Sequence, residues 1–206
     1  MMFLIIKGGP VMLLIILGSV FGLAIIIERM LVIRRLHRLD MESFSSTVYK
    51  YISDAKFDEA LSLSRQHSEY PLGAMFASAI ENRNLSRHEL EKMLERMGNH
   101  SIKILEKRLG GLVSIVGISP LLGFLGTITG LIRAFMAWEK AGNDITVSAL
   151  ASGIYEAMIT TAAGLMVAIP YYLFYNYFIS KIKYFAHELD DYSSKLLEAL
   201  AKAEAL

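Results

Sequence analysis

The polar residues with the greatest potential for chemistry in this chain lie in or beside long apolar segments. Glu156 comes directly before the uncharged run of residues 157–179. An ionisable side chain costs about 2.5–3.5 kcal/mol at the middle of a membrane helix, so each one needs a reason to be there. We interpret Glu156 as a functional residue. Arg133 and Glu28 stand nearer the ends of apolar segments, where long side chains can reach the polar interface.

Four threonines add hydroxyl groups to the same segments: Thr127, Thr129, Thr160 and Thr161. A membrane threonine commonly bonds the backbone of its own helix. Thr127 lies about ten residues from the outer end of its helix, and Glu156 lies about eleven from the outer end of its own if that helix begins near Ile145, which predicts a similar depth. Thr160 is one turn from Glu156 on the same face, whereas Thr161 points about 140° away. Glu156 and Thr161 can share one pathway only if it is a central pore or if the helix is rotated.

Three uncharged segments must position these residues. They comprise residues 10–27, 109–132 and 157–179, and each reaches the roughly 18–20 apolar residues that cross a bilayer as a helix. Arginines follow the first segment directly and no small-residue cleavage pattern does, so we expect an uncleaved anchor rather than a signal peptide. Tyrosines near the segment ends, Tyr171 among them, are interpreted as anchors in the headgroup layer.

The basic residues predict the orientation of these spans, because Lys and Arg are retained on the cytoplasmic side. Residues 34–108 hold 13 of the 21 Lys and Arg residues, and four more follow the third span. The connector of residues 138–147 holds only Lys140. We therefore expect the N-terminus outside and the C-terminus inside.

The segment between the first and second spans reads as a helical module. Phe44, Val48, Tyr51 and Ile52 recur at helical spacing, as do the apolar residues after Pro71. Ser86 and Glu89 have the spacing of a capping box. No proline occurs between Arg87 and Pro120, which predicts one continuous helix over residues 87–135, bent at Pro120. The third span is likewise predicted to continue past the membrane into the C-terminal tail.

Composition excludes several classes of function. The formal net charge is only +1, which argues against a nucleic-acid partner. Cysteine is absent, so thiolate chemistry is excluded. The five histidines are scattered without ligand spacing, and no catalytic grouping or phosphate-binding glycine loop is present. We expect no metal, no cofactor and no enzymatic activity.

Small residues indicate where the helices pack closely. One stripe follows the second span and another follows the third, and each span also contains a proline that we expect to kink it, Pro120 and Pro170. The members are Gly123, Gly126 and Gly130 in the first stripe, and Gly153, Ala157, Thr161, Gly164 and Ala168 in the second.

Two motifs in these spans resemble those of the MotA/TolQ/ExbB proton channel family, most closely ExbB and TolQ. Residues 119–132, SPLLGFLGTITGLI, are similar to the family's Pro-x-x-Gly-x-x-Gly-Thr-x-x-Gly signature. Residues 156–165, EAMITTAAGL, with the later Ala-Ile-Pro and Tyr-Asn, are similar to the family's third-span pattern. The two motifs occur in the family's order, and the resemblance extends over essentially the whole chain.

The resemblance implies an all-α protein of the bacterial inner membrane with a periplasmic N-terminus. It implies a homopentamer around a central pore that holds two copies of an ExbD- or TolR-like single-span partner. That partner supplies the protonatable aspartate, and Thr127, Thr161 and Glu156 of this chain match the family's proton pathway, with Thr160 a weaker candidate. A TonB- or TolA-like envelope protein is a further implied partner. Proton flow then does mechanical work on the envelope.

Two other functions remain open at this stage. One is a structural membrane scaffold whose polar residues only hold helices together, and the other is a small transporter, for which three spans supply no inverted repeat. The predicted organisation is a periplasmic N-terminus and first span over 1–33, a cytoplasmic helical module over 34–108, a second span over 109–137, a periplasmic connector over 138–147, a third span over 148–180 and a cytoplasmic C-terminal helix over 181–206.

Overall fold

The described part of the chain is entirely helical. A computed structural model describes residues 9–36, 39–141 and 147–204, and these residues form helices without any strand. The helices are α1 (Gly9–Leu36), α2 (Met41–Ser53), α3 (Phe57–Gln66), α4 (Pro71–Glu81), α5 (Arg87–Glu106), α6 (Leu109–Ala141) and α7 (Val147–Glu204). The prediction of an all-α chain is confirmed.

The chain divides into two compact units. The first, which we name the apolar unit, contains residues up to Glu28 together with Arg108–Tyr177. The second, which we name the charged unit, contains Arg29–Lys107 together with the residues from Phe178 onward. Helices α1 and α7 each contribute residues to both units.

In the apolar unit, α1, α6 and the first part of α7 are each long and apolar enough to cross a membrane. Many of their large side chains are exposed in the single chain, including Leu17, Phe124 and Leu173. An exposed apolar surface of this extent belongs in lipid or against other chains. Pro120 lies inside α6 and Pro170 inside α7, and the helix continues through both positions.

Helix α7 has 58 residues, about three times the number that a membrane span requires. Beyond the span it becomes an amphipathic helix of the charged unit. Its buried stripe consists of Phe178, Ile182, Phe185, Leu189, Leu196 and Leu200. As expected from the sequence, the third span is therefore continuous with the helix of the tail.

The prediction of one continuous helix over residues 87–135 is wrong. Helix α5 ends at Glu106, α6 begins at Leu109, and Arg108 has a φ of 69° between them. The buried guanidinium of Arg29 donates to the carbonyl oxygens of Ile104 and Leu105, at 3.3 and 3.2 Å. In a continuous helix those carbonyls would accept from residues four positions later. The Arg29 side chain of α1 thus supplies hydrogen bonds that the backbone N–H groups of the next turn would supply in a continuous helix.

Helix ends occupy parts of the predicted connector of residues 138–147. Helix α6 continues to Ala141 and α7 begins at Val147. The intervening residues 142–146 lie outside the described residues, as do residues 1–8, 37–38 and 205–206.

The core of the charged unit forms where the apolar periodicity predicts it. Phe44, Val48 and Ile52 on α2 are buried and Tyr51 is partly buried, and the Phe76 ring of α4 lies 5.5 Å from that of Phe44. Tyr49 also contacts Phe76. On α4, the stripe of Leu72, Met75, Phe76, Ala79 and Ile80 is buried.

The helix boundaries of this unit follow from local sequence. Pro71 occupies the first turn of α4, where a missing N–H costs nothing. Ser86 and Glu89 form the expected capping box at the start of α5. The Glu89 carboxylate accepts from the Ser86 hydroxyl and backbone N–H, and these hydrogen bonds lower the pKa of Glu89.

Replacing Gly73 by alanine is expected to destabilise the charged unit, because the new Cβ atom would overlap the carbonyl oxygen of His67. Overpacking of this kind costs about 1–3 kcal/mol. Gly98→Ala is the matched control, since the nearest atom to its new Cβ is 3.7 Å away, and alanine favours a helix by about 1 kcal/mol. Thermal unfolding in detergent, followed by circular dichroism, should show a lower midpoint for Gly73→Ala only. Equal midpoints for the two variants would contradict the clash.

Candidate functional site

The helices that carry the polar residues, α6 and α7, approach each other along glycines. A Cβ atom added at Gly123 would lie 2.9 Å from the carbonyl oxygen of Thr160, and one at Gly130 would lie 2.9 Å from that of Gly153. At Gly126 it would overlap the Thr160 side chain. Two helix backbones come this close only where side chains are absent.

The contacts along this interface run in opposite directions on the two helices. Gly164 on α7 lies against the carbonyl of Ser119 near the middle of α6, whereas Gly153 lies against Ala134 nearer the end of α6. The helices are therefore antiparallel. Ala157, buried at 1% exposure, contacts Gly130 between these two points.

Thr127 on α6 and Thr161 on α7 meet across this interface. Their hydroxyl groups are hydrogen-bonded to each other. The Thr161 hydroxyl also lies 3.1 Å from the carbonyl oxygen of Gly123, and the Thr127 hydroxyl lies 3.3 Å from that of Ala157. Each threonine thus reaches a backbone carbonyl of the opposite helix, which is possible because the glycines allow the close approach.

This hydroxyl pair can exchange donor and acceptor roles. A hydroxyl has one proton to donate and two lone pairs to accept with. Thr127 has three acceptors within reach, the carbonyls of Gly123 and Ala157 and the hydroxyl of Thr161. Rotation of one hydroxyl therefore reverses which threonine donates the hydrogen bond between them, and the rotated proton still has an acceptor. Both side chains are partly exposed, so a partner or water can reach them.

The other two threonines have a different environment. The hydroxyl of Thr160 is fully buried and donates within its own helix, to the carbonyls of Glu156 and Ala157. The hydroxyl of Thr129 likewise donates within α6, to the carbonyls of Leu125 and Gly126. These hydrogen bonds within one helix fix the side-chain rotamers of Thr160 and Thr129.

Glu156 is paired with Arg133. One Arg133 nitrogen, Nη1, lies 2.6 Å from Oε1 of Glu156, and the Glu156 side chain is only 18% exposed. Arg133 itself is about half exposed, so this pair is compatible with the predicted reach of its side chain to the polar interface. The two charges neutralise each other because each would otherwise be an unpaired ion on an apolar helix. The start of α1 lies against this pair at Gly9, whose φ is 62°.

The structure brings the two parts of the predicted pathway to the same helix pair without joining them directly. The Glu156 carboxylate bonds Arg133, whereas Thr127 and Thr161 bond each other. Glu28 also has an ion-pair partner, Arg108. Partner choice of this kind depends on which helix faces lie together, and spacing within one segment does not reveal it.

Tyr171 is a residue whose role sequence reasoning missed. We interpreted it as a headgroup anchor, but it is buried at 8% exposure. Its hydroxyl donates to the carbonyl oxygen of Ser19 at 2.5 Å, and its ring lies against Gly22. Tyr171 therefore holds α1 against α7. In the sequence, Gly22 of α1 was the signal that a large side chain such as Tyr171 could pack against this helix.

Comparison with known families identifies the chain. The profile of the MotA/TolQ/ExbB proton channel family matches residues 67–191, more than half of its length. The chain belongs to the MotA/TolQ/ExbB proton channel family. It is consequently a membrane protein, in agreement with its three apolar helices.

Relatives within the MotA/TolQ/ExbB family carry ExbB and TolQ names. A putative ExbB homologue of Methanothermobacter thermautotrophicus is 29% identical over 85% of this chain and 62% of its own length. A putative ExbB-like protein of Synechocystis is 32% identical over 87% of this chain and 72% of its own. The Tol-Pal system protein TolQ of Haemophilus influenzae is 42% identical over 38% of this chain and 34% of its own. The chain thus spans less than two thirds of the Methanothermobacter relative and about one third of the TolQ protein.

Gly126→Ala is expected to force α6 and α7 apart, since its Cβ atom would overlap the Thr160 side chain. The expected cost is about 1–3 kcal/mol, as for other overpacked sites. Gly117→Ala in the same helix is the control, because no atom lies within 4 Å of its added Cβ. Thermal unfolding in detergent should distinguish them. An unchanged midpoint for Gly126→Ala would show that the helices are not packed as described.

Proposed function

We propose that this chain is a proton-channel subunit that converts proton motive force into mechanical work on the cell envelope, in the manner of ExbB or TolQ. The observation that carries the proposal is the Thr127–Thr161 hydroxyl pair, which connects two membrane helices of a member of a proton channel family. The proposal gives the chain no enzymatic step. A TonB- or TolA-like protein would transmit the work.

The hydroxyl pair supports a role in proton movement. Hydroxyl groups that can exchange donor and acceptor roles can pass a proton along a chain of hydrogen bonds. A charge that crosses the membrane potential contributes about 2.3 kcal/mol per 100 mV. In our proposal Thr127 and Thr161 form part of the wall along which the proton moves.

Glu156 supports a second part of the pathway. Its carboxylate and the Arg133 guanidinium form an ion pair of zero net charge in the apolar unit. We propose that the group that takes up and releases the proton belongs to a partner, as the resemblance to ExbB and TolQ implies. An ExbD- or TolR-like single-span subunit with an intramembrane Asp, in two copies, fits that requirement. Thr160 contributes packing rather than a proton.

The exposed apolar faces of the spanning helices support assembly. Leu121, Phe124 and Ile128 on α6 and Met158, Leu165 and Met166 on α7 are exposed in the single chain. One face of each helix can meet lipid, and another is available for further copies of the chain. We propose a homopentamer around a central pore that holds the partner's helices.

The distribution of basic residues supports the location. We propose a multi-pass protein of the bacterial inner membrane with its N-terminus in the periplasm and the charged unit in the cytoplasm. Thirteen of the 21 Lys and Arg residues lie in residues 34–108, which the positive-inside preference places with the cytosol.

A structural scaffold is the second candidate. The favouring observation is that the Thr127 and Thr161 hydroxyls also lie within hydrogen-bond distance of backbone carbonyls on the opposite helix. Hydrogen bonds between membrane helices are sufficient to hold them together. The two functions differ in whether removal of a hydroxyl affects proton flux or assembly.

Thr127→Val and Thr161→Val are expected to reduce proton flux about tenfold or more, as the loss of a proton-transfer group does, while assembly is retained. Valine keeps the shape of threonine and removes the hydroxyl. Thr129→Val is the matched control, because that hydroxyl bonds only its own helix. Flux should be measured in vesicles that contain the chain and its single-span partner.

The contrary result is equally clear. If Thr127→Val, Thr161→Val and Glu156→Ala all retained assembly and full flux, the proton pathway would be wrong and the scaffold would be the better function. If each variant instead lost assembly and flux in parallel, the hydroxyls would hold helices together and conduct nothing.

Native mass spectrometry of the protein extracted in detergent is expected to show five copies of the chain. Some of the apolar residues of α6 and α7 that are exposed in the single chain would be covered by further copies in such an assembly. Co-purification should also yield a partner with one span and an intramembrane Asp. A predominant monomer or dimer would contradict the pore.

A further inference from the structure

A groove lies in the charged unit between α5 and the last part of α7. Its volume is about 390 Å³. The apolar lining includes Met75 on α4, Leu94 on α5, and Leu189 and Leu197 on α7, all of which are buried. The groove is therefore apolar at its base.

The rim of the groove is acidic. Glu91 and Glu95 line it from α5 and Asp190 lines it from α7, and all three are exposed. Within the described ranges none of them has an ion-pair partner, whereas Glu81 of the same unit is paired with Arg65. Glu91 and Glu95 stand four residues apart, where like charges on a helix destabilise it. A cation at the rim would relieve this repulsion.

A buried hydroxyl also lines the groove and points to an occupant. Ser193 is 6% exposed, and its Oγ has no hydrogen-bond partner among the residues that the structure describes. Ser45 and Ser64, also buried in helices of this unit, instead bond the carbonyl four residues back. A buried hydroxyl without a partner is unfavourable. The groove thus offers a hydrogen bond as well as negative charge.

The complementary charge lies on another face of α5. Lys92, Arg96 and Lys103 are exposed and fall on one stripe at helical spacing. In the described part of the chain, none of the three forms an ion pair, and Arg96 Nε donates only to the carbonyl of Lys92. Helix α5 therefore has an acidic edge at the groove and a basic stripe on its outer face.

We propose that the groove of one copy of this chain binds the basic stripe, Lys92, Arg96 and Lys103, of a second copy. Because the two charges lie on different faces of one helix, the acidic face of one copy would meet the basic face of the next. Such head-to-tail contacts can close into a ring. The aliphatic parts of Lys and Arg suit the apolar base of the groove, and their charged ends suit its rim. No group of three or more His, Asp or Glu side chains in the described residues is arranged to hold a metal ion. This inference rests on the proposed homopentamer and adds to it a specific contact between neighbouring subunits.

Cross-linking tests the contact directly, because the natural chain has no cysteine. One tagged copy carries Ser194→Cys at the groove, and a differently tagged copy carries Arg96→Cys in the stripe. Co-expression in membranes with the single-span partner, followed by a bis-maleimide reagent, is expected to give a product that bears both tags. Glu59→Cys, on the exposed part of α3, replaces Arg96→Cys in the control and should give several-fold less product.

Charge reversal provides the second readout. Adding Glu95→Lys to the Ser194→Cys copy should lower the mixed product several-fold, and adding Lys92→Glu to the other copy should restore it. Glu198→Lys, an exposed carboxylate of α7 outside the groove, is the matched control and should leave the yield unchanged. The effect of Glu95→Lys should diminish at high salt, because exposed charges are screened.

The outcomes separate this contact from the proposed function. A pentamer by native mass spectrometry with no mixed product above the control would overturn the contact alone. A predominant monomer would overturn the pentamer, and the contact with it. If a maleimide–benzophenone reagent attached to Ser194→Cys captured the single-span partner instead of the second copy, the groove would bind the partner and the inference would be wrong.

Discussion

The close approach of α6 and α7 is the constraint on which the apolar unit depends. In lipid, helices gain nothing by removing apolar surface from water, so association relies on packing and on hydrogen bonds between helices. Glycines at 123, 126 and 130 remove the side chains that would hold the backbones apart. The neighbouring positions on α7 fill the same space with small residues and with one buried threonine.

This approach determines what the polar residues can do. Thr127 and Thr161 each reach a carbonyl on the opposite helix only because the backbones are so close. The same contact therefore holds the helices together and keeps two hydroxyls within hydrogen-bond distance. The scaffold and the proton pathway are hard to tell apart for this reason, and an isosteric valine separates them more sharply than a larger change does.

Ion pairs explain how the apolar unit tolerates its charges. Glu156 is paired with Arg133, and Glu28 with Arg108. Each pair lowers the cost of two ions that would be unfavourable alone. The charged unit differs, since the carboxylates at its groove and the cations on the outer face of α5 are left unpaired within the described residues. Two ion pairs thus lie inside the apolar unit, whereas these charges of the charged unit remain available for contacts between chains.

The sequence by itself determined the helical class, the three apolar spans, the core stripes of α2 and α4, and the capping box of α5. Each of these depends on residues within a few turns of one another, where helical periodicity and capping chemistry act directly. The family motifs likewise lie within single spans. The tertiary structure decided the break between α5 and α6, because the carbonyls of Ile104 and Leu105 are taken by Arg29 from α1. It also decided the partners of Arg133, Thr161 and Tyr171. Those partners depend on which faces of separate helices pack together. The residue pattern along one helix does not specify which face of a neighbouring helix packs against it.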